Sequence, residues 1–349
     1  MAVRIGLVGL GGMGGHHLKG YGSIPAARVA ALCDVDRKRL HQRQAIQINL
    51  DKASPGAVSA AGATTYTDFA LMLREADLDA VDICTPTYLH AAMALTALKA
   101  GKHVFCEKPL ALTARDARRV AAAAKKAGRF VMVGHVLRFW PEYLWMKEAL
   151  DSRRFGRLRS AKFWRWGAMP RWGYKGWFGR ARQSGQAALD LHIHDVDTIQ
   201  WFLGRPTRVQ SAGRLAKDGG VDYIWTTYEC PPSRCQCPGG AIVTSEGGWQ
   251  MGDFPFAMGA TLVFEKASLD YNSSRQDTLV AYPREGKPQT VRVPQAEGYR
   301  EELAYFVQCV ATGRAPKLAT AADAASAVAI VEAEARSVRT GKAVAVRGN

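Results

Sequence analysis

Three glycines, Gly9, Gly11 and Gly14, stand in the run VGLGGMG, directly after an apolar stretch and ahead of a helical one. At that spacing the first lets the chain turn and the second lets backbone approach a pyrophosphate. The third lets helix and strand pack closely, while the helix N-terminus stabilises phosphate charge. Gly12 and Met13 complete the loop. Asp34 ends the next apolar run, about twenty residues beyond Gly14, where a carboxylate accepts hydrogen bonds from ribose hydroxyls and repels a 2′-phosphate. These residues together predict a dinucleotide site that favours NAD. Arg37, Lys38 and Arg39 follow within a turn and keep NADP open, Arg37 being counted with the cofactor residues.

A second group lies far downstream, in Asp190-x-His192-x-His194-Asp195-x-Asp197. Its spacing suggests a metal cluster, but on a helix at roughly 100° per residue His192 and His194 point about 200° apart and cannot share one ion. No metal is expected. If 188–203 is helical, Asp190 and His194 lie four apart and share a face, while His192 takes a structural role. Lys108 precedes Pro109, which pushes it to extended geometry and turns it off a strand end, where open α/β sheets bind ligands. The tract Trp164-x-Trp166…Arg171-Trp172-Gly173-Tyr174-x-x-Trp177-Phe178 is aromatic and basic. Its flat faces suit the C–H faces of a carbohydrate, with Trp172 the proposed contact, or else a packed core.

The elements that must position these groups are legible in the first third. Apolar runs at Arg4–Leu10, Arg28–Asp34, Leu78–Pro86, His103–Pro109 and Arg129–His135 alternate with helical stretches at Asp68–Glu75, Tyr88–Ala100 and Thr113–Ala127, the last capped by Thr113 and closed by Gly128. Such alternation implies a doubly wound parallel sheet covered on both faces. After residue 135 the pattern changes. Helices are expected at Pro141–Arg153 and Ala187–Leu203, then a β-rich section over Thr207–Val293 with antiparallel character, then amphipathic helices at Tyr299–Thr312 and Thr320–Thr340. The predicted fold is α/β, with a dinucleotide-binding domain over 1–133 and a second α/β domain over 134–349, whose last helix packs back on the first.

Composition narrows the function. At 349 residues, 48% hydrophobic and 22% charged, the chain reads as globular. The net charge of +16 is scattered rather than gathered in a run, so no nucleic-acid partner is expected. No apolar run reaches about 18 residues, so no membrane span is expected. The first ten residues read as a strand rather than a leader, and the expected compartment is the cytoplasm. Seven cysteines form a mostly isolated set. Cys33, Cys84 and Cys106 read as small core residues. Cys230, Cys235 and Cys237 cluster without the fourth ligand of a structural zinc site, so their segment reads as a hairpin loop.

Several tracts together resemble one family. Cys106-Glu107-Lys108-Pro109 after a strand, Thr85-Pro86-x-x-x-His90 upstream, GHVLRFWPEY near 134, ALDLHIHDVD near 190 and the closing EELAYFVQCVATGRAP are similar to those of the glucose–fructose oxidoreductase, inositol dehydrogenase and MocA family. The resemblance spans nearly the whole chain. It implies a Rossmann domain followed by an α/β domain on an open, mainly antiparallel sheet that often mediates homodimers or homotetramers. It also implies NAD(P)-dependent oxidation or reduction of a sugar, cyclitol or similar polyol at a secondary alcohol or ketone. Thr85, Pro86, His90, Glu107 and Lys108 then join the cofactor residues. Lys108 corresponds to the family's catalytic lysine, and Asp190 and His194 to its substrate-binding aspartate and catalytic histidine.

Elementary chemistry agrees with those roles. A histidine titrating near neutrality suits removal of a hydroxyl proton, and an ammonium beside the same oxygen stabilises developing alkoxide. Lys108, Arg138, Trp172, Asp190 and His194 are the expected substrate contacts. Two other readings stand beside this one. A hydrolase or epimerase-like enzyme would use NAD transiently, without net NADH release, and a non-catalytic regulator would bind the cofactor alone. The chain departs from the family pattern at the cysteine-rich insert 230–237 and at 179–185, which is poorer in glycine than expected. Both departures concern the substrate rim.

Overall fold

The computed structural model describes residues 2–41, 62–231 and 240–347. Strands β1 (Val3–Val8), β2 (Ala27–Cys33), β3 (Thr64–Tyr66), β4 (Ala80–Ile83), β5 (His103–Cys106) and β6 (Val131–Val133) form one sheet in the order β3-β2-β1-β4-β5-β6, every pairing parallel. β1, β4 and β6 are buried almost throughout, because helices cover both faces, whereas β2 and β3 toward the sheet edge are buried only at their carboxyl ends. Among these helices are α1 (Gly12–Gly22), the short α2 (Arg37–Leu40), α3 (Phe69–Glu75), α4 (Thr87–Lys99) and α5 (Ala114–Ala127). The Thr113 cap and the Gly128 closure of α5 are those the sequence predicts, and Asp68 adds a cap on α3. Asp68 and Thr113 accept from first-turn amides, and Gly128, at φ 60°, closes α5. The strand order reverses between β1 and β4, so their carboxyl ends open the crevice in which such sheets bind ligands.

A second sheet has the order β14-β13-β12-β11-β7-β10-β9-β8-β15. It is built from β7 (Leu158–Ala168), β8 (Arg208–Leu215), β9 (Val221–Glu229), β10 (Ile242–Gln250), β11 (Ala257–Phe264), β12 (Ala267–Asn272), β13 (Leu279–Pro283), β14 (Gln289–Thr290) and β15 (Val344–Ala345). Among the described residues β7 and β10 pair in parallel and the other neighbours are antiparallel. Helices α6 (Pro141–Asp151), α7 (Ala181–Ser184), α8 (Gln186–Asp190) and α9 (Ile193–Leu203) precede or interrupt these strands. Between β14 and β15 stand α10 (Gly298–Thr312), which packs on α1, and α11 (Ala321–Thr340), which lies against α5, α9 and β8. Neighbours on several sides explain why α11 is rich in alanine and buried along most of its length.

One expected element is corrected. The helix over Ala187–Leu203 is two pieces, α8 and α9, because the His192 amide donates to the Ala187 carbonyl, five residues back, at 2.9 Å. The wider turn places the fully buried His192 ring 3.2 Å from the Tyr228 hydroxyl and 3.3 Å from the Glu334 carboxylate. Buried polar groups must find partners, and that demand overrides helical continuity here. Cys84 is also not plain core. It lines the crevice and lies 3.2 Å from the His17 ring. Cys235 and Cys237 lie outside the described residues.

Candidate active site

The glycine loop joins β1 to α1 at the mouth of the crevice. Gly9 has φ +87°, and a Cβ there would lie 2.7 Å from the Cys84 carbonyl oxygen. A Cβ on Gly14 would stand 1.8 Å from the Gly9 carbonyl oxygen, so Gly14 packs behind the loop and leaves the lining to Gly9, Gly11, Gly12 and Met13. No side chain caps α1, whose first amides stay available to an anion. Asp34 is fixed at the end of β2 by the amides of Leu10 (2.7 Å) and Asp36 (2.8 Å) and faces the crevice. This cradle, bare amides beside an oriented carboxylate, fits the pyrophosphate and ribose of a dinucleotide.

Arg37 does not belong to it. Asp36 caps α2, and about 200° of helical rotation separates Arg37 from Arg39. Arg37 is exposed, whereas Arg39 lines the crevice, 4.0 Å from the Asp34 carboxylate and 5.3 Å from the centre of the Tyr174 ring.

The carboxyl end of β5 delivers Glu107 and Lys108, the latter joined to Pro109 by a cis peptide. Thr85 and Pro86 line the crevice beside them. His90, on α4, also reaches the lining, but its ring is committed to structure. Its nitrogens lie 2.7 Å from the Pro109 carbonyl and 2.6 Å from that of Thr85, tying two strand-end turns together. Glu107 supports the turn from below, accepting the Lys108 amide at 3.1 Å and lying 3.1 Å from the buried His17 ring. His17 in turn lies 2.8 Å from Asp82, which also accepts the Tyr21 hydroxyl. Burial alone would raise the Glu107 carboxyl, but His17 and Lys108 hold it below the ordinary glutamate range, so it stays ionised.

Lys108 crosses to the second group. Its ammonium donates to the Asp190 main-chain carbonyl at 2.7 Å and to the Asp190 carboxylate at 3.3 Å. Asp190 therefore orients the lysine. His194, on α9, lines the same space. Its Nδ1 is buried and, among the described residues, has no hydrogen-bond partner. Burial first, then the charges of Arg165, Lys108 and His135, push its pKa well below the ordinary histidine value. The imidazole is neutral and able to accept a proton, although it titrates lower than the near-neutral value expected from sequence. Burial pushes the Asp190 carboxyl up against the opposing pull of Lys108.

Arg138 is a further correction. It is buried away from the crevice, held by both carboxylate oxygens of Asp197 at 2.8 Å and by Asp323 at 3.3 Å. Beside Lys108 and His194 the lining arginine is instead Arg165 on β7, facing α9 and paired with Asp195 at 3.3–3.4 Å. Sequence reasoning missed it, although an arginine between Trp164 and Trp166 must occupy the opposite face of the strand. Trp172 lines the crevice, as do Tyr174, Trp177 and Phe178 from the same tract, whereas Trp164 and Trp166 stack on each other elsewhere. Trp140, Trp249, Phe256 and Tyr299 join the lining without having been foreseen.

Comparison with known proteins places this geometry in context. The model for the oxidoreductase family with an NAD-binding Rossmann fold (GFO/IDH/MocA) matches residues 3–135, and that for the GFO/IDH/MocA C-terminal domain matches residues 143–269. Inositol 2-dehydrogenase 2 of Saccharopolyspora erythraea is 30% identical over 352 aligned positions, covering 99% of this chain and 96% of that protein. A 1,5-anhydro-D-fructose reductase of Ensifer adhaerens is 33% identical over 158 residues, 44% of this chain and 47% of its own. Among solved structures, scyllo-inositol dehydrogenase from Lactobacillus casei, with bound NAD(H) and scyllo-inositol, superposes with a TM-score of 0.77 at 21% identity, covering 99% of each chain.

Proposed function

The chain belongs to the GFO/IDH/MocA family of NAD-dependent oxidoreductases acting on CH–OH groups, and from that premise we propose that Lys108, Asp190 and His194 carry its chemistry on a sugar, cyclitol or related polyol. The observation that supports this reading is their convergence in the crevice into which the glycine loop opens. The Gly9–Gly14 loop and Asp34 would hold a nicotinamide dinucleotide, which would supply the two-electron redox capacity. Neutral His194 takes the proton of the reacting hydroxyl, and the ammonium of Lys108 stabilises the oxygen as charge develops. Asp190 keeps Lys108 aimed. Asp34 supports NAD over NADP, with Arg39 in place of Arg37 as the residue that would meet a 2′-phosphate. A cytoplasmic homo-oligomer is the setting we propose.

The test is NADH formation by the purified protein across a panel of sugars and cyclitols, with NAD and NADP compared. Lys108→Met and His194→Ala are each expected to lower kcat by about 100-fold or more. Turnover within a few-fold of wild type in both variants would sink the assignment. Net NADH release also separates this reading from an enzyme that uses NAD transiently.

A further inference from the structure

The lining of the substrate half is uneven. Lys108 pairs with Asp190 at 3.3 Å, and the charges of Lys108 and Arg165 both act on His194, so these four form one polar cluster in the lining. The lining also carries many aromatic side chains. Trp177 stacks on Phe178 at 4.0 Å with planes 27° apart, and Trp172 meets the same ring edge-on at 4.9 Å. A Cβ on Gly173 would lie 2.5 Å from the Phe178 ring, so the glycine is what lets this group close up. Trp249 packs into the same cluster. Phe256 and Trp140 line further parts of the crevice, Phe256 beneath the Arg165 guanidinium at 5.8 Å.

A bare polyol carries hydroxyls around its whole ring, and each must exchange water for a donor or acceptor when buried. Aromatic walls stack on C–H faces but offer few such partners. A polar cluster that shares one crevice with an aromatic cluster matches a ligand with one polar part and one flat, apolar part. We propose, resting on the assignment of Lys108 and His194 as the reaction centre, that the preferred substrate is an aryl-substituted polyol such as an aryl glycoside. Its CH–OH group faces Lys108 and His194, and its aromatic substituent lies against Trp172 and Trp177. No bond to that substituent forms or breaks.

The experiment compares matched methyl and phenyl β-glycosides of D-glucose, D-galactose and D-xylose for binding to the NADH-loaded protein, by calorimetry. The expected result is a phenyl member that binds about tenfold tighter or more in at least one pair. In Trp172→Ala or Trp177→Ala, judged folded by retained NADH binding, that preference falls to about threefold or less. Absence of a preference in all three wild-type pairs overturns the proposal, undetectable binding of both members included. So does a preference that survives in both variants. Oxidation is read separately. A phenyl preference in binding with no NADH formed from any sugar or glycoside defeats the dehydrogenase assignment and leaves the aryl site standing. Bare polyols oxidised as efficiently as phenyl glycosides defeat the aryl site and leave the dehydrogenase standing.

Discussion

The environment of His194 decides how the reaction responds to pH. A general base works only when unprotonated, so kcat/KM for alcohol oxidation should fall as pH drops through the His194 pKa. Burial and the nearby cations push that pKa well below the ordinary 6.5. The acid limb of the profile is therefore expected below pH 6.5, and a limb at about 7 or above would assign it to another group. Arg138 carries the opposite expectation to the one its sequence position suggests. Removing it takes from the buried Asp197 both of its arginine bonds and leaves it Gln200 and the His135 ring, so Arg138→Met should cost about 3 kcal/mol in denaturant unfolding while KM stays near wild type. A raised KM with unchanged stability would restore it to the substrate site. Lys108 and His194, expected as site residues from the family resemblance, with a lysine before proline and an aspartate four residues before a histidine agreeing, both line the crevice. Which arginine faces the crevice was not legible. That depends on whether Asp195 or Asp197 points inward from α9, and the turn at His192, fixed by contacts with Tyr228 and Glu334, helps set this phase.

At the scale of elements, the β1–α1 junction and the α8–α9 junction mark where sequence patterns suffice and where they fail. The glycine loop is local chemistry. Its turn, its close approach and its uncapped helix start all follow from residues within six positions of one another, so the structure places it where the spacing predicts. Gly14→Ala is a sharp test, because the added carbon would stand 1.8 Å from a backbone oxygen and force loop and helix apart. We expect NADH binding to weaken by about 100-fold or more, measured by fluorescence titration, with far-UV circular dichroism unchanged. Binding within a few-fold of wild type would mean that the cofactor does not use this loop. The break between α8 and α9 had no comparable local sign. Periodicity continues through 187–203, and the interruption comes from Tyr228 on β9 and Glu334 on α11, distant in sequence. The same distance hid Trp249, Phe256 and Tyr299, whose place in the lining is set by how the second sheet and α10 meet the first sheet.

At the scale of the molecule, the nine-stranded sheet has unequal faces. One is covered by α8, α9 and α11. On the other, the pairings place Trp225, Glu246 and Trp164 side by side across β9, β10 and β7, with Trp166 stacked on Trp164. Trp225 is 41% exposed, and Ile242, two strand repeats along β10 from Glu246, is 69% exposed. Single exposed apolar residues are ordinary, but aromatic and aliphatic side chains aligned on one open sheet face mark an interaction surface. A second copy of the same chain can cover it by two-fold symmetry, each face meeting its own equivalent. Light scattering should accordingly give the wild-type protein a mass of at least two chains, and Trp225→Lys combined with Ile242→Lys should shift it toward one. The crevice opens on the other side of the sheet, beside Arg165, so NADH should still bind to the dissociated variant. A wild-type monomer, or a variant that keeps the wild-type mass, would show that this face is not the interface.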